Sequence, residues 1–328
     1  MKTLLTLMLI TSSIFLSLDS VMAQKRHCKY ALVIHGGAGS ATNDEQVIAA
    51  REIVLGAALN KGTSILSGGG TSLDAVEQVI RILEDSPLFN AGKGAVLTAT
   101  STNELDATIM DGSTRACGAA GGVTNVKNPI SLARLVMTET RHVLLAADGA
   151  NAFAASLEHP NIEIVSPEYF RTEHQEQRLQ RAQEKSRLTD AEQMGTVGCV
   201  ALDWRGNIAA GTSTGGLVNK KHGRIGDSPI VGAGTFADNR TCGISCTGIG
   251  ELFIRNAIAY DVSARMKYKN ISIGQAAKEV IHTVLKKDEG GLIGMDQQGN
   301  IAIEFNTKGM SSAVADSTGR MDINWSNK

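Results

Sequence analysis

Apolar residues at helical spacing mark several stretches of the chain. Residues 44–61 carry Val47, Ile48, Ile53, Val54, Ala57 and Ala58 in that pattern and run into Gly62, which predicts a helix ending there. Thr71-Ser72-Leu73-Asp74 reads as a capping box ahead of Val76, Val79, Ile80 and Leu83, so a second helix opens at this point. Residues 130–138, 249–266 and 272–286 read as further helices. Short β-like runs lie between them. Residues 30–34 end at His35-Gly36-Gly37-Ala38-Gly39, and 105–110 sit in a Gly-rich stretch. Residues 196–202 and 207–212 flank Asp203-Trp204-Arg205-Gly206 as a hairpin, and 292–295 and 301–305 flank Gln297-Gln298-Gly299-Asn300 as another. Residues 230–234 and 242–246 add two short strands. Helices in pairs with runs of mostly antiparallel strands predict an α+β layered sandwich.

Two segments break the pattern. At the N-terminus Met1-Lys2 precedes an apolar run from Leu4 to Leu18, and Val21-Met22-Ala23 offers small residues before a cut at Gln24. Residues 1–23 therefore read as a secretory signal peptide, too short to span a bilayer of about 20 helical residues. The mature protein is expected to be secreted, and periplasmic in a bacterium, with no membrane segment. The second break lies between Arg171 and Gln193, where ten of 23 residues are charged and Leu179 and Leu188 are the only large apolar ones. Such a stretch buries little surface against its ordering entropy, so residues 171–195 are expected to form a mobile linker.

Composition narrows the function. With 42% hydrophobic residues and a net charge of −1, the chain has enough apolar material for a core and no basic surplus for nucleic acid. The five cysteines form no C-x-x-C pair. Cys242 and Cys246 are about 13 Å apart along a regular strand, too far for a disulfide. Most are expected to be small buried thiols. G-x-S-x-G, Walker and H-E-x-x-H patterns are absent, and the glycine runs at 36–39 and 68–70 fit no phosphate loop.

Gly195-Thr196-Val197-Gly198 stands where the charged stretch meets a strand. A threonine hydroxyl needs a base within reach to act as a nucleophile. A chain break before Thr196 would supply one, its own new α-amine, with a reference pKa of about 8. Alone, a Gly-Thr pair at a strand start means little. Its sequels change that: Thr212-Ser213-Thr214-Gly215-Gly216, then Gly223-Arg224-Ile225-Gly226-Asp227-Ser228-Pro229, Gly232-Ala233-Gly234 and Cys246-Thr247-Gly248-Ile249-Gly250-Glu251. With His35-Gly36-Gly37-Ala38-Gly39, Phe89-Asn90-Ala91-Gly92, Glu104-Leu105-Asp106-Ala107, Phe305-Asn306-Thr307 and Gly309-Met310, this order resembles the plant-type asparaginase and isoaspartyl dipeptidase family of N-terminal nucleophile hydrolases.

The resemblance implies a four-layer αββα sandwich, cut at Gly195/Thr196 into residues 24–195 and 196–328, which share one domain and pair as a dimer of heterodimers. It places the nucleophile on Thr196, a second threonine on Thr214, and an asparagine near the scissile peptide on Asn90. Arg224 matches the residue gripping the substrate α-carboxylate and Asp227 the partner of its α-ammonium, with Ile225 and Gly226 between them. Thr247 and Gly248 match the oxyanion hole; Ile249 and Gly250 complete that substrate-binding run, Gly250 as a backbone contact. A structural sodium loop falls on Leu83, Glu84, Ser86, Phe89, Ala91 and Lys93, and catalysis needs no cofactor. His35, Glu104 and Asp106 are read as scaffold. The implied reaction is hydrolysis of the β-amide of L-asparagine or of β-aspartyl dipeptides to L-aspartate through a threonyl ester. Two alternatives stand. The related glycosylasparaginases carry Asp before the nucleophile and Asn within S-T-x-G, where this chain has Gly195 and Gly215. A periplasmic amino-acid-binding protein could use Arg224 and Asp227 as a zwitterion clamp without being cut.

Overall fold

Residues 29–39, 44–184 and 195–327 are described by the computed structural model, a mixed α/β protein. The expected leader at residues 1–23, Cys28, and residues 185–194 of the expected linker lie outside them.

An eight-stranded sheet has the order β12-β11-β1-β5-β6-β2-β3-β4. Its strands are β1 (Ala31–Gly39), β2 (Leu105–Asp111), β3 (Cys117–Val123), β4 (Leu144–Ala146), β5 (Val197–Leu202), β6 (Ile208–Thr214), β11 (Gly309–Asp316) and β12 (Met321–Asn327). All neighbours are antiparallel except β3 and β4, which run parallel. A four-stranded antiparallel sheet has the order β10-β9-β8-β7, from β7 (Thr235–Ala237), β8 (Cys242–Gly248), β9 (Gly290–Asp296) and β10 (Ile301–Phe305). Both expected hairpins form, β5 with β6 and β9 with β10.

Three helices pack on the large sheet: α1 (Glu45–Ser67), α2 (Ser72–Glu84) and α3 (Pro129–Glu139). Leu55, Leu59, Val76, Val79, Ile80 and Ile130 meet Leu32, Ile34, Ile109 and Cys199 of the strands in one apolar cluster. Thr71 caps α2 by accepting the Asp74 N–H (3.1 Å), worth about 1 kcal/mol at such a position. A second cluster joins Val33, Val200 and Ala210 of the large sheet to Ile244, Cys246, Leu292 and Ile293 of the small one. The same cluster takes in Ile258, Val262, Ala276 and Ala277 from α7 (Ile258–Lys269) and α8 (Ile273–Glu279), which pack on the small sheet. β5 is buried at every position because apolar layers cover both its faces.

Several expectations change. α1 continues past Gly62 to Ser67. Gly62 does not stop the helix; it makes room, since a Cβ there would sit 2.5 Å from Leu32 Cδ2 and 2.8 Å from Val79 Cγ2. The stretch expected as one helix over 249–266 is divided at Ala257 (φ 46°) into α6 (Gly250–Asn256) and α7. The stretch over 272–286 is α8 followed by one wide turn, Val280–Val284. Residues 230–234 form turns with a single bridge from Val231 to Thr235. Between α3 and β5 lie α4 (Ala147–Ala155) and α5 (Glu173–Glu184).

α5 is the largest correction, because it occupies the first half of the expected mobile linker. Its contacts include Leu179, buried with Val96, Leu97 and Val218, and Gln175, whose Nε2 donates to the Gly94 carbonyl (2.9 Å). Cys199, Cys242 and Cys246 are buried free thiols and Cys117 is a half-buried one; burial pushes all four thiol pKa values up. Among the described residues no helix is long and apolar enough to cross a membrane.

Candidate active site

Thr196 immediately precedes β5, and the β5–β6 register pairs Val197 with Ser213. That register brings Thr196 beside Thr214, 18 residues away, with 3.3 Å between the hydroxyls. The Gly195 carbonyl is the focus of the site. It accepts from Thr196 Oγ1 (2.6 Å), Asn90 Nδ2 (2.9 Å) and Thr214 Oγ1 (3.0 Å). Asn90 has no freedom to turn: its Nδ2 also donates to Gly216 O (2.8 Å) and its Oδ1 accepts from Val96 N (2.9 Å). Thr214 Oγ1 in turn accepts from Gly216 N (3.0 Å). Gly195 is tightly enclosed, since a Cβ would lie 2.9 Å from Asn90 Cβ.

The glycine run at the end of β1 fits around this peptide. A Cβ on Gly37 would be 3.0 Å from both N and O of Thr196. The next residue reaches the small sheet, where Ala38 N donates to Thr247 Oγ1 (3.0 Å). With that lone pair occupied, the Thr247 proton is free to point elsewhere. Cys246 N bonds Gly234 O (2.8 Å) on the β7 side of β8, so strand alternation turns Gly248 N–H to the same side, away from β9. Thr247 and Gly248 thus offer two donors that the β8–β9 ladder does not consume.

Arg224 and Asp227 converge on the start of α6. A Cβ on Gly250 would lie 2.7 Å from Arg224 Nη2 and 2.9 Å from Asp227 Oδ1. Nε and Nη2 of Arg224 donate to the two carboxylate oxygens of Glu251 (2.9 and 2.8 Å). The Nη1 edge faces the glycines, 2.7 Å from where a Gly226 Cβ would be. Asp227 is buried, and among the described residues its Oδ2 has no hydrogen-bond partner. Burial, helped by the nearby Glu251 and Asp106, raises its carboxyl to about 7, and Arg224 pulls the other way. An orphaned acceptor beside a guanidinium fork suits a ligand carrying both an ammonium and a carboxylate. Ile225 lies half-buried over Gly121, and Ile249 is held by its N–H to Glu289 O (3.0 Å).

Two charged residues around the clamp, Glu251 and Lys220, were not among the expected site residues, and Asp106 beside them was expected as scaffold. Glu251, the bidentate partner of Arg224, directly follows the Thr247–Gly250 run, and a carboxylate in the first turn of a helix was the available signal. Lys220 is buried, donating to Glu104 O (2.8 Å) with Glu104 Oε2 3.7 Å away, and no local pattern marks it. Asp106, opposite Thr214 in the β2–β6 register, accepts from Gly122 N (2.8 Å); burial raises its carboxyl while Lys220 and Arg224 oppose the shift. His35, expected as scaffold, is buried between the sheets. Its Nε2 bonds Ser245 Oγ (3.0 Å) across the two sheets, and burial lowers it to about 3, so it stays neutral.

The loop expected to hold sodium begins at the end of α2 and passes through Gly92–Gly94. The carbonyls of Glu84 and Phe89 occupy the space that Cβ atoms on Gly92 and Gly94 would fill. The Lys93 ammonium sits 5.4 Å over the Tyr169 ring. Glu84's carboxyl is separately engaged, accepting from Ser213 Oγ (2.6 Å) and Ile130 N (3.1 Å), and burial raises it to about 8.

A threonine hydroxyl against the peptide before it, amide and hydroxyl donors on that carbonyl, and a guanidinium and a buried carboxylate near by are groups suited to a hydrolase. Comparison with known proteins gives the family. A family model described as asparaginase matches residues 28–324. The isoaspartyl peptidase of Escherichia coli strain K12 is 44% identical over 300 residues, covering 87% of this chain and 92% of that protein. A probable isoaspartyl peptidase/L-asparaginase 2 of Arabidopsis thaliana is 43% identical over 323 residues (90% and 98%), and a plant-type L-asparaginase of Pyrococcus abyssi is 40% identical over 297 (86% and 95%). The chain belongs to the family of plant-type asparaginases and isoaspartyl peptidases.

Proposed function

We propose that the protein cuts itself between Gly195 and Thr196 and then hydrolyses the β-amide of L-asparagine and of β-aspartyl dipeptides. The observation that carries this reading is the Gly195 carbonyl, held by Asn90 and Thr214 while Thr196 Oγ lies against it. In self-cleavage Thr196 Oγ attacks the Gly195 carbonyl carbon. Asn90 Nδ2 and Thr214 Oγ receive the developing oxyanion, the C–N bond breaks, and the departing amine takes the proton. Water then hydrolyses the ester, leaving the Gly195 carboxylate and a free Thr196 amine.

In turnover that amine accepts the Oγ proton as Oγ attacks the substrate β-carbonyl. The Thr247 hydroxyl and Gly248 N–H hold the oxyanion. Ammonia or an amino acid leaves with the proton, and water releases L-aspartate from the β-aspartyl ester. Arg224 grips the α-carboxylate and Asp227 the α-ammonium, with Ile225, Gly226, Ile249 and Gly250 shaping the pocket. No organic cofactor takes part. A structural sodium ion would be held by main-chain carbonyls of Leu83, Glu84, Ser86, Phe89, Ala91 and Lys93, its charge gathering those carbonyl dipoles. The glycine cradle and the placement of Lys93 over Tyr169 support that assignment.

Helices on the large sheet, facing sheets and helices on the small sheet support reading the fold as the four-layer αββα sandwich of N-terminal nucleophile hydrolases. On this reading residues 24–195 and 196–328 are two chains of one domain, paired as a dimer of heterodimers, and the leader at residues 1–23 sends the protein out of the cell. The glycosylasparaginase alternative is disfavoured by space. Cβ atoms at 195 and 215 would come within 2.9 and 2.6 Å of Asn90 atoms, so the Asp and Asn of that branch do not fit this arrangement. Denaturing electrophoresis with N-terminal sequencing of the smaller band tests the cut, and β-aspartyl-leucine against a glycosyl-asparagine tests the substrate. A continuous active chain, or turnover of the glycosyl-asparagine alone, overturns the proposal.

A further inference from the structure

Phe305-Asn306-Thr307 is a motif that the reaction above leaves without a task, and Asn306 touches none of the reacting groups. Its carboxamide is nevertheless fully engaged. Oδ1 accepts from Glu289 N and Gly290 N (both 3.0 Å), and Nδ2 donates to Ile281 O (3.0 Å) and Lys286 O (2.8 Å). Those are two acceptances and two donations, all that an asparagine side chain can make. The main chain adds Asn306 N to Gly290 O (2.9 Å) and Asp288 N to Asn306 O (3.1 Å).

The peptide so fixed backs directly onto the end of β8. Gly290 faces Gly248 in the β8–β9 register, and Glu289 O accepts from Ile249 N (3.0 Å). There is no slack between them. A Cβ on Gly290 would lie 2.6 Å from Thr247 O and 2.9 Å from Gly248 Cα, and one on Gly248 would strike Glu289 O. Because closely packed backbone shifts together, a displacement of the Glu289–Gly290 peptide moves Thr247 and Gly248 with it.

We propose that Asn306 is a positioning residue for the oxyanion-binding end of β8, clamping the Glu289–Gly290 peptide so that Thr247 and Gly248 keep their donors on the reacting carbonyl. The inference rests on the reading of Thr247 and Gly248 as oxyanion groups. Oxyanion donors act mainly in the transition state, so loosening them lowers kcat more than it raises KM. A clamp needed only for loop stability predicts no such split.

The test uses the processed enzyme with β-aspartyl-leucine, comparing Asn306→Ala, Asn306→Asp and Thr247→Ala with the parent. Removing an oxyanion donor outright costs about 10²–10³ in kcat, so a donor displaced by loss of its backing is expected to cost about 10- to 100-fold in Asn306→Ala, with KM within about threefold. Asn306→Asp keeps both acceptances from residues 289 and 290 but turns an acceptor onto the Ile281 and Lys286 carbonyls in place of two donations, so it should lose activity as well. In a Thr247→Ala background the Asn306→Ala loss should shrink, because both changes act on one unit. Near-ultraviolet circular dichroism checks each variant's fold. If Thr247→Ala leaves kcat unchanged, the oxyanion reading and this inference fall together. If Thr247→Ala lowers kcat while Asn306→Ala raises only KM, changes nothing, or loses activity in step with folded protein, the role given to Asn306 alone is overturned. Full activity in Asn306→Asp also overturns it.

Discussion

Asn90 and Gly195, 105 residues apart in the chain, meet where the Asn90 amide donates 2.9 Å to the Gly195 carbonyl oxygen. In the proposed self-cleavage that oxygen becomes the oxyanion as Thr196 attacks, so the bond should strengthen along the path. Loss of one such donor costs about 10²–10³ in rate. Asn90→Ala should therefore accumulate as uncut precursor and mature about 100-fold more slowly. Thr196→Ala should stay uncut indefinitely. A gel time course after purification reads both.

Asp227 predicts a pH dependence. Its carboxyl is raised to about 7, so below that pH the free enzyme holds it increasingly protonated and neutral. A neutral acid loses its attraction for the substrate α-ammonium. The logarithm of kcat/KM should therefore rise with pH up to about 7, since this ratio reports ionisations of the free enzyme. Above it the Thr196 amine that the proposed cut would free, with a reference pKa of about 8, continues the rise as it becomes neutral. With both deprotonations required, the slope is near two below about 7 and near one above it, so Asp227→Asn should reduce the lower slope to about one and keep the upper limb. Profiles from pH 5 to 9 on β-aspartyl-leucine distinguish the two, and a slope of about two that persists in Asp227→Asn assigns it to another group.

Arg224 presents a fork already half used. Two of its nitrogens engage Glu251, which leaves the Nη1 edge toward Gly226, where the proposed clamp would take the substrate carboxylate. A lysine is a point charge and cannot serve both partners in one plane. With charged hydrogen bonds worth about 1.5–3 kcal/mol, Arg224→Lys should raise KM about 10- to 100-fold with a smaller change in kcat. Arg224→Ala should be at least as severe. An analogue lacking the α-carboxylate should bind parent and variant alike.

How much of this was legible along the chain depends on how local each cause is. The β5–β6 hairpin shows in its alternating apolar run and turn, and its register alone sets Thr196 beside Thr214. Thr71 announces α2 by a cap that needs no tertiary partner. Gly62 misleads because its reason is tertiary: it admits Leu32 and Val79, which no local pattern reveals. The Glu251–Arg224 and Lys220–Glu104 pairs are likewise products of loops folding together over 27 and 116 residues. The ordered motifs give the places of Asn90, Arg224 and Asp227, but only the folded chain shows that Asn90 serves two carbonyls and that Asp227 keeps one oxygen unpartnered among the described residues.

α5 gives the last prediction, since it was read as a linker and is instead a docked helix. One large apolar side chain, Leu179, holds it against Val96 and Leu97, and Val96 N–H in turn secures Asn90 Oδ1. A buried leucine cut back to alanine costs about 2–5 kcal/mol, and here that cost falls on local opening because the cluster is small and peripheral. Arg178 and Arg181 lie on this helix, and trypsin cuts at arginine only in an unwound segment. At about 2 kcal/mol, Leu179→Ala should speed cleavage at these two sites about 30-fold while the rest of the protein resists. Mass spectrometry of timed digests reads the sites. Equal rates in parent and variant would mean that Leu179 does not hold the helix down.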